Sequence, residues 1–331
     1  MFSLESPELQ FAIHAVRQAS RLVKQVQAEL VSPALTKDDR SPVTVADFAS
    51  QSLVGCQLSA AYPDDPLVGE EDSTALRAAQ AGDMLEQVTR FVARLVPQAD
   101  SAAVCAWIDR GKADPAQRFW TLDPIDGTKG FLRGDQYAVA LALIVAGQVQ
   151  IGVLGCPNLR SGYQPVVDGP GSLAFAVRGA GAWLASLEGE DGFTRLQVST
   201  CQDPVQARIL RSFESGHTNV SQVDLFARAL GVQAEPVRMD SQAKYVVQAA
   251  GQGELYLRLL SPRQPDYREK IWDQAAGSLL IEEAGGRVTD LGGKPLDFSA
   301  GRELSNNRGV LASNGSLHPA ALQALRAIAA G

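Results

Sequence analysis

Three short segments of this chain set carboxylates beside apolar runs. Gly69-Glu70-Glu71-Asp72 follows Pro66-Leu67-Val68, Asp123-Pro124-Ile125-Asp126-Gly127-Thr128 follows Phe119-Trp120-Thr121-Leu122, and Trp272-Asp273 opens a long apolar stretch. The middle segment says most. Two aspartates three apart, with a proline between them, leave a strand in a turn that can aim both carboxylates at one point. The Ile125 carbonyl can face that point as well. Such a hard oxygen set suits Mg2+, which takes one or two carboxylates together with phosphate oxygens. Gly127-Thr128 then opens a turn or helix whose free N–H groups suit an anion. Each segment alone has an ordinary reading as a solvated turn or a helix cap. Together they predict metal-assisted chemistry on a phosphate.

Composition narrows the field. The three histidines (His14, His217, His318) are too few for a His-rich transition-metal centre, and the four cysteines are far apart with no Cys-x-x-Cys pair, so structural zinc is not expected. No constellation of Ser or Cys with His suggests a covalent enzyme intermediate. A net charge of −7 argues against nucleic-acid binding, which needs a basic face, but not against an anionic substrate met through cations. No apolar run approaches the roughly 18–20 residues that span a bilayer, so no membrane partner is expected. Met1 to Gln10 carries Glu5 and Glu8 instead of a basic and then an apolar stretch, so no secretory signal is expected and the location predicted is cytoplasmic.

The elements that must position these residues are legible in outline. Ser6-Pro7-Glu8 starts a helix whose apolar residues recur at helical spacing from Phe11 to Val26. Thr44 caps a second helix and places Asp47 in its first turn. Ser73 to Leu95 reads as helix. Phe119 to Leu122 is a buried strand running into Asp123, and Tyr137–Val145 with Val149–Leu154 forms a hairpin about Ala146-Gly147-Gln148. Leu173–Val177 and Ala182–Leu184 suggest another hairpin. Further on, short strands alternate with helices at Val220–Leu230 and Ile271–Ala284, the latter ended by Gly285-Gly286. The cluster of Ser, Gly and Pro near residues 160–172 divides the chain into two subdomains, 1–165 and 166–331, the first carrying most of the predicted metal ligands.

The blocks Pro42-Val43-Thr44-x-Ala46-Asp47, Gly69-Glu70-Glu71, Asp123 to Phe131 and Trp272 to Gly286 resemble the lithium-sensitive, magnesium-dependent phosphatase superfamily of inositol monophosphatases and fructose-1,6-bisphosphatases. Within it the chain is most similar to the 3′(2′),5′-bisphosphate nucleotidases, on Asp240-Ser241-Gln242-Ala243-Lys244-Tyr245, Glu254 to Leu259 and Glu269-Lys270-Ile271-Trp272-Asp273. The resemblance implies a layered α/β/α/β/α sandwich of the sugar-phosphatase type, two or three Mg2+ ions, lithium sensitivity, and a monomer acting on a small nucleotide bisphosphate. By position, Glu70, Asp123, Asp126, Asp273 and the Ile125 carbonyl match metal ligands. Asp47 and Thr128 match the pair that deprotonates the attacking water. Gly127, Thr128, His217, Ser241, Lys244 and Arg258 match substrate contacts. The implied reaction is hydrolysis of 3′-phosphoadenosine 5′-phosphate to AMP and phosphate. The alternatives are a sister phosphatase for inositol phosphates and a non-catalytic nucleotide sensor. The Thr36–Pro42 loop before Asp47 is a candidate lid on composition alone.

Overall fold

The computed structural model describes residues 2–29, 35–36, 42–78, 81–160, 164–165, 169–189, 192–213, 220–260 and 264–328. Helix α1 (Pro7–Glu29) buries Leu9, Ala12, Ile13, Val16, Ala19, Leu22, Val23 and Val26, the stripe that its spacing predicts. A two-strand ladder, β1 (Leu35–Thr36) with β2 (Pro42–Val43), leads into α2 (Val45–Ala61). Residues 37–41 of the candidate lid lie outside the described residues. Strand β3 (Leu67–Gly69) follows. The single helix expected over Ser73–Leu95 is instead a 3-10 turn at Ala75–Arg77 and then α3 (Gly82–Ala93). Helix α4 (Ser101–Asp109) starts at an Asp100 cap that accepts from the Ala103 N–H at 2.8 Å.

The first sheet continues through β4 (Arg118–Asp126), the six-residue α5 (Thr128–Arg133), β5 (Ala138–Val145), β6 (Gln148–Cys156), a small ladder of β7 (Leu159–Arg160) with β8 (Gln164–Pro165), β9 (Ser172–Val177), β10 (Gly181–Ser186) and β11 (Thr194–Arg195). Its order is β11-β10-β9-β6-β5-β4-β3, with β3 parallel to β4 and the other pairs antiparallel. The second sheet takes β12 (Ile209–Arg211), β13 (Val237–Arg238), β14 (Leu255–Arg258), β15 (Arg287–Thr289) and β16 (Val310–Ser313), in the order β13-β12-β14-β16-β15. Helices α6 (Val220–Leu230), α7 (Ala243–Ala249), α8 (Ile271–Glu283) and α9 (His318–Ala327) complete the chain. The change from one sheet to the other falls between Arg195 and Ile209, since β9 pairs with β6 and extends the first sheet.

Burial divides these elements into layers. Alternate residues of β5 go to opposite faces: Val139, Leu141 and Leu143 pack with α1 and α2, while Ala138, Ala140, Ala142 and Ile144 pack with α7, α8 and the second sheet. The far face of the second sheet, with Ile209, Leu255 and Leu311, packs on α6 and α9. The result is the α/β/α/β/α sandwich. Helix α8 is its middle layer, which explains why it is apolar nearly all round. The alanine-rich face of the first sheet lets α8 come close. A Cβ placed on Gly152 of β6 would lie 2.8 Å from the Ala276 carbonyl oxygen and 2.9 Å from its Cα. Asp273, in the first turn of α8, is therefore set by backbone packing on a sheet.

Candidate active site

Four elements deliver acidic side chains to one region. In a regular strand, residues three apart point to opposite faces. Between Asp123 and Asp126 the pairing of β4 with β5 shifts: Asp123 faces Ala140, Asp126 faces Ala138, and three steps on one strand meet two on the other. This irregularity re-aims the chain, as bulges do beside active sites. Glu70 follows the end of β3, where its N–H donates to the Leu122 carbonyl at 3.2 Å, and so stays beside β4.

Electrostatics show the convergence. Burial pushes the Asp123 carboxyl well above the usual carboxylate range, and the charges of Glu70, Asp126, Asp273 and Asp47 push it further. Asp273 is pushed up to about 8, first by burial and then by Asp126. Like charges gathered where water is scarce are costly unless something positive shares the space. Among the described residues no three Asp, Glu, His or Cys side chains stand arranged to hold a metal ion as they are. Some lean on protein partners instead: Asp126 Oδ2 accepts the Gln242 N–H at 2.5 Å, and Asp273 Oδ2 lies 4.0 Å from Arg258 Nη2. Asp123 Oδ1 is different. It is buried and accepts no hydrogen bond. A buried carboxylate oxygen without a donor, amid further carboxylates, fits a hard cation such as Mg2+.

Asp47 is fixed by its own helix. Thr44 and Asp47 form a reciprocal capping box, in which the Thr44 N–H and hydroxyl donate to Asp47 Oδ2 at 2.9 and 2.5 Å. That leaves Oδ1 directed at Thr128, whose hydroxyl lies 3.4 Å from it and 3.3 Å from the Ile125 carbonyl oxygen. Gly127, at φ 89°, makes the turn between β4 and α5. A side chain there would also meet Ser241, with the added Cβ 2.8 Å from the serine Cβ. Ser241 itself holds φ 66°, a conformation that costs a non-glycine residue about 1 kcal/mol.

Of the two cations expected at the substrate, Lys244 is buried and Arg258 is half-buried. Lys244 donates to Ser212 Oγ at 3.1 Å and the Met239 carbonyl at 3.4 Å, and its Nζ sits 5.2 Å from the Tyr256 ring centroid. Burial lowers its pKa to about 8, partly countered by Asp126. Arg258 is held by Glu269. Burial opposes its charge, but Glu269 and neighbouring groups keep its pKa well above the ordinary value. His217 lies outside the described residues.

Two residues that bind these parts together were not among those expected from the sequence, Gln242 and Arg302. Gln242 holds Asp126 through its backbone and the Trp272 carbonyl through its side chain, at 3.1 Å. Arg302 donates to the Gly69, Gly111 and Ala113 carbonyls and covers the Trp272 ring at 5.1 Å, clamping the end of β3 to α8. Gln242 lay inside a block singled out from the sequence; Arg302, between Gly301 and Glu303, carried no signal.

The inositol monophosphatase family model matches residues 5–330. The chain belongs to that family. Among curated proteins, the 3′(2′),5′-bisphosphate nucleotidase of Oryza sativa is 44% identical over 96% of this chain and 93% of its own length. That of Schizosaccharomyces pombe is 41% identical over 97% and 95%. Among solved structures, Thermotoga maritima IMPase matches with a TM-score of 0.67 at 19% identity, over 98% of both chains. CysQ from Bacteroides thetaiotaomicron, a bacterial member of the inositol monophosphatase family, matches with 0.61 at 20%, over 94% of this chain and 98% of its own. The structural matches agree with the five-layer architecture.

Proposed function

We propose that this protein is a Mg2+-dependent 3′(2′),5′-bisphosphate nucleotidase that hydrolyses 3′-phosphoadenosine 5′-phosphate to AMP and phosphate. The observation that carries the chemistry is the buried, donorless Oδ1 of Asp123 with four carboxylates acting on it. Support for the substrate class comes from near-full-length likeness to bisphosphate nucleotidases. Glu70, Asp123, Asp126, Asp273 and the Ile125 carbonyl would hold two or three Mg2+ ions. Bound there, Mg2+ supplies charge neutralisation for the phosphate and acidifies a water.

The chain's own residues do the rest. The Thr128 hydroxyl, in contact with Asp47, takes the proton of the attacking water and passes it to the carboxylate, since a lone threonine is too weak a base. The capping box keeps Asp47 in place for this without a further conformational change. Gly127 and Ser241 line the approach to the phosphate. Lys244 and Arg258, both cationic at neutral pH, meet the second phosphate or the ribose, so substrates with one phosphate bind worse. His217 is a further contact by position in the sequence.

The test is phosphate release from 3′-phosphoadenosine 5′-phosphate, inositol 1-phosphate and inositol 1,4-bisphosphate, each with Mg2+ and with added Li+. The adenosine bisphosphate should be turned over fastest, with Li+ inhibiting. Preference for either inositol phosphate would replace the reading with that of the sister phosphatases. No phosphate from any of them would favour the nucleotide sensor.

A further inference from the structure

Glu269 belongs neither to the donor set nor to the substrate contacts named above, yet it is only 3% exposed and lies two residues before α8. Both of its oxygens engage Arg258: Nε lies 3.2 Å from Oε1 and 3.1 Å from Oε2, and Nη2 lies 2.9 Å from Oε2. Oε2 also accepts from Gln274 Nε2 at 2.8 Å, and Gln274 Oε1 accepts from the Tyr245 hydroxyl at 2.5 Å. The backbone is pinned too, since the Glu269 carbonyl accepts the Leu304 N–H at 2.8 Å. Glu269 is thus a rigid anchor joining β14, α7 and α8.

The same Nη2 that meets Glu269 also lies 4.0 Å from Asp273 Oδ2. A small swing of Arg258 would close that gap to a charge-assisted hydrogen bond and take the oxygen that a cation needs. Lys270, which also acts electrostatically on Asp273, is likewise occupied, by Glu303. Each cation beside Asp273 therefore has a carboxylate of its own.

We infer that Glu269 is a positioning residue that keeps Arg258 off Asp273, leaving the Asp273 carboxylate available to Mg2+ and the guanidinium turned toward the substrate. This rests on Asp273 being a metal ligand. Without the Glu269 charge, a guanidinium only 15% exposed needs another anion, and Asp273 is within reach. Mg2+ then competes with an internal cation.

The experiment is a Mg2+ titration of the thermal midpoint of the whole protein, without substrate. Glu269→Gln should move half-saturation to about tenfold higher Mg2+. Adding Arg258→Met, which keeps the bulk but not the charge, should bring it back to within about twofold of wild type. Half-saturation unchanged in Glu269→Gln overturns the inference. So does a rise that Arg258→Met fails to reverse, because the loss would then be one of packing. Should Glu269→Gln not fold, Glu269→Asp carries the test, with a rise of several-fold expected and wild-type behaviour overturning it. A wild-type protein with no Mg2+ response removes the metal reading and the inference together, whereas a normal wild-type response with an unchanged variant removes the inference alone.

Discussion

Gly152 offers a steric test of how the site is aimed. Substituting alanine places a methyl 2.8–2.9 Å from backbone atoms of Ala276, and 3.3 Å from its carbonyl carbon. An ordinary contact needs about 3.4–4 Å, so α8 must retreat from β6 by about 0.5–1 Å. No flexible side chain can yield instead. Asp273 lies less than one turn away on the same helix and moves with it. Misplacement of about 1 Å can cost on the order of 100-fold in rate, so kcat should fall by about 10–100-fold. Overpacking should cost about 1–3 kcal/mol. For 331 residues, an unfolding entropy of about 2.1 cal/mol/K per residue converts this to a drop of about 1.5–4 °C in Tm. Gly82 at the start of α3, where an added methyl meets nothing within 4 Å, is the control. Gly82→Ala should raise Tm slightly and leave kcat alone. Steady-state phosphate release and thermal unfolding of both variants decide the matter. Wild-type kcat in Gly152→Ala would refute the claim that α8 seating sets Asp273.

Lys244→Ala should lower the ratio of bisphosphate to monophosphate turnover at least tenfold, measured as kcat/KM on matched adenosine substrates; an unchanged ratio would remove Lys244 from substrate recognition. His318 is wholly buried between Thr289 and Ser313 hydroxyls, and burial, then Arg287, lowers its pKa to about 4. The folded protein keeps it neutral while the unfolded chain protonates it near 6.5, so its stabilisation is complete above about pH 6.5 and fades as pH falls to 4. Urea unfolding at pH 7 and pH 4 should show wild type losing about 3 kcal/mol more than His318→Gln, and equal losses would contradict the assignment. Ala146 turns the β5–β6 hairpin at φ 52° ahead of Gly147 at φ 72°, so Ala146→Gly should stabilise by about 1 kcal/mol in the same assay. Loss of stability there would mean the turn carries no strain.

Local chemistry in the sequence was a good guide where one residue's role is settled by its neighbours. Thr44 three residues before Asp47 predicts a cap, and the capping box is there. The Asp123-to-Asp126 spacing predicts a shared target; in the fold the Asp126 charge acts on Asp123, across a pairing shift that depends on β5. Period and composition failed where burial is all-round or the signal is short. Helix α7 is buried at every position, Lys244 and Gln248 on its polar stripe included, so no exposed face marks it, and the stretch expected as one helix from Ser73 breaks before Gly82. Long-range ties were invisible. Arg302 reaches Gly69 across more than two hundred residues, and the Glu269 grip on Arg258 needs β14 and the start of α8 brought side by side.

Whether the site carboxylates share a cation can be read from crystals soaked in Mn2+ and measured at its absorption edge. Anomalous peaks are expected about 2.1 Å from Asp123, shared with Glu70, Asp126 or Asp273. Anomalous density that avoids Asp123, or its absence from this region at saturating Mn2+, would contradict a shared cation.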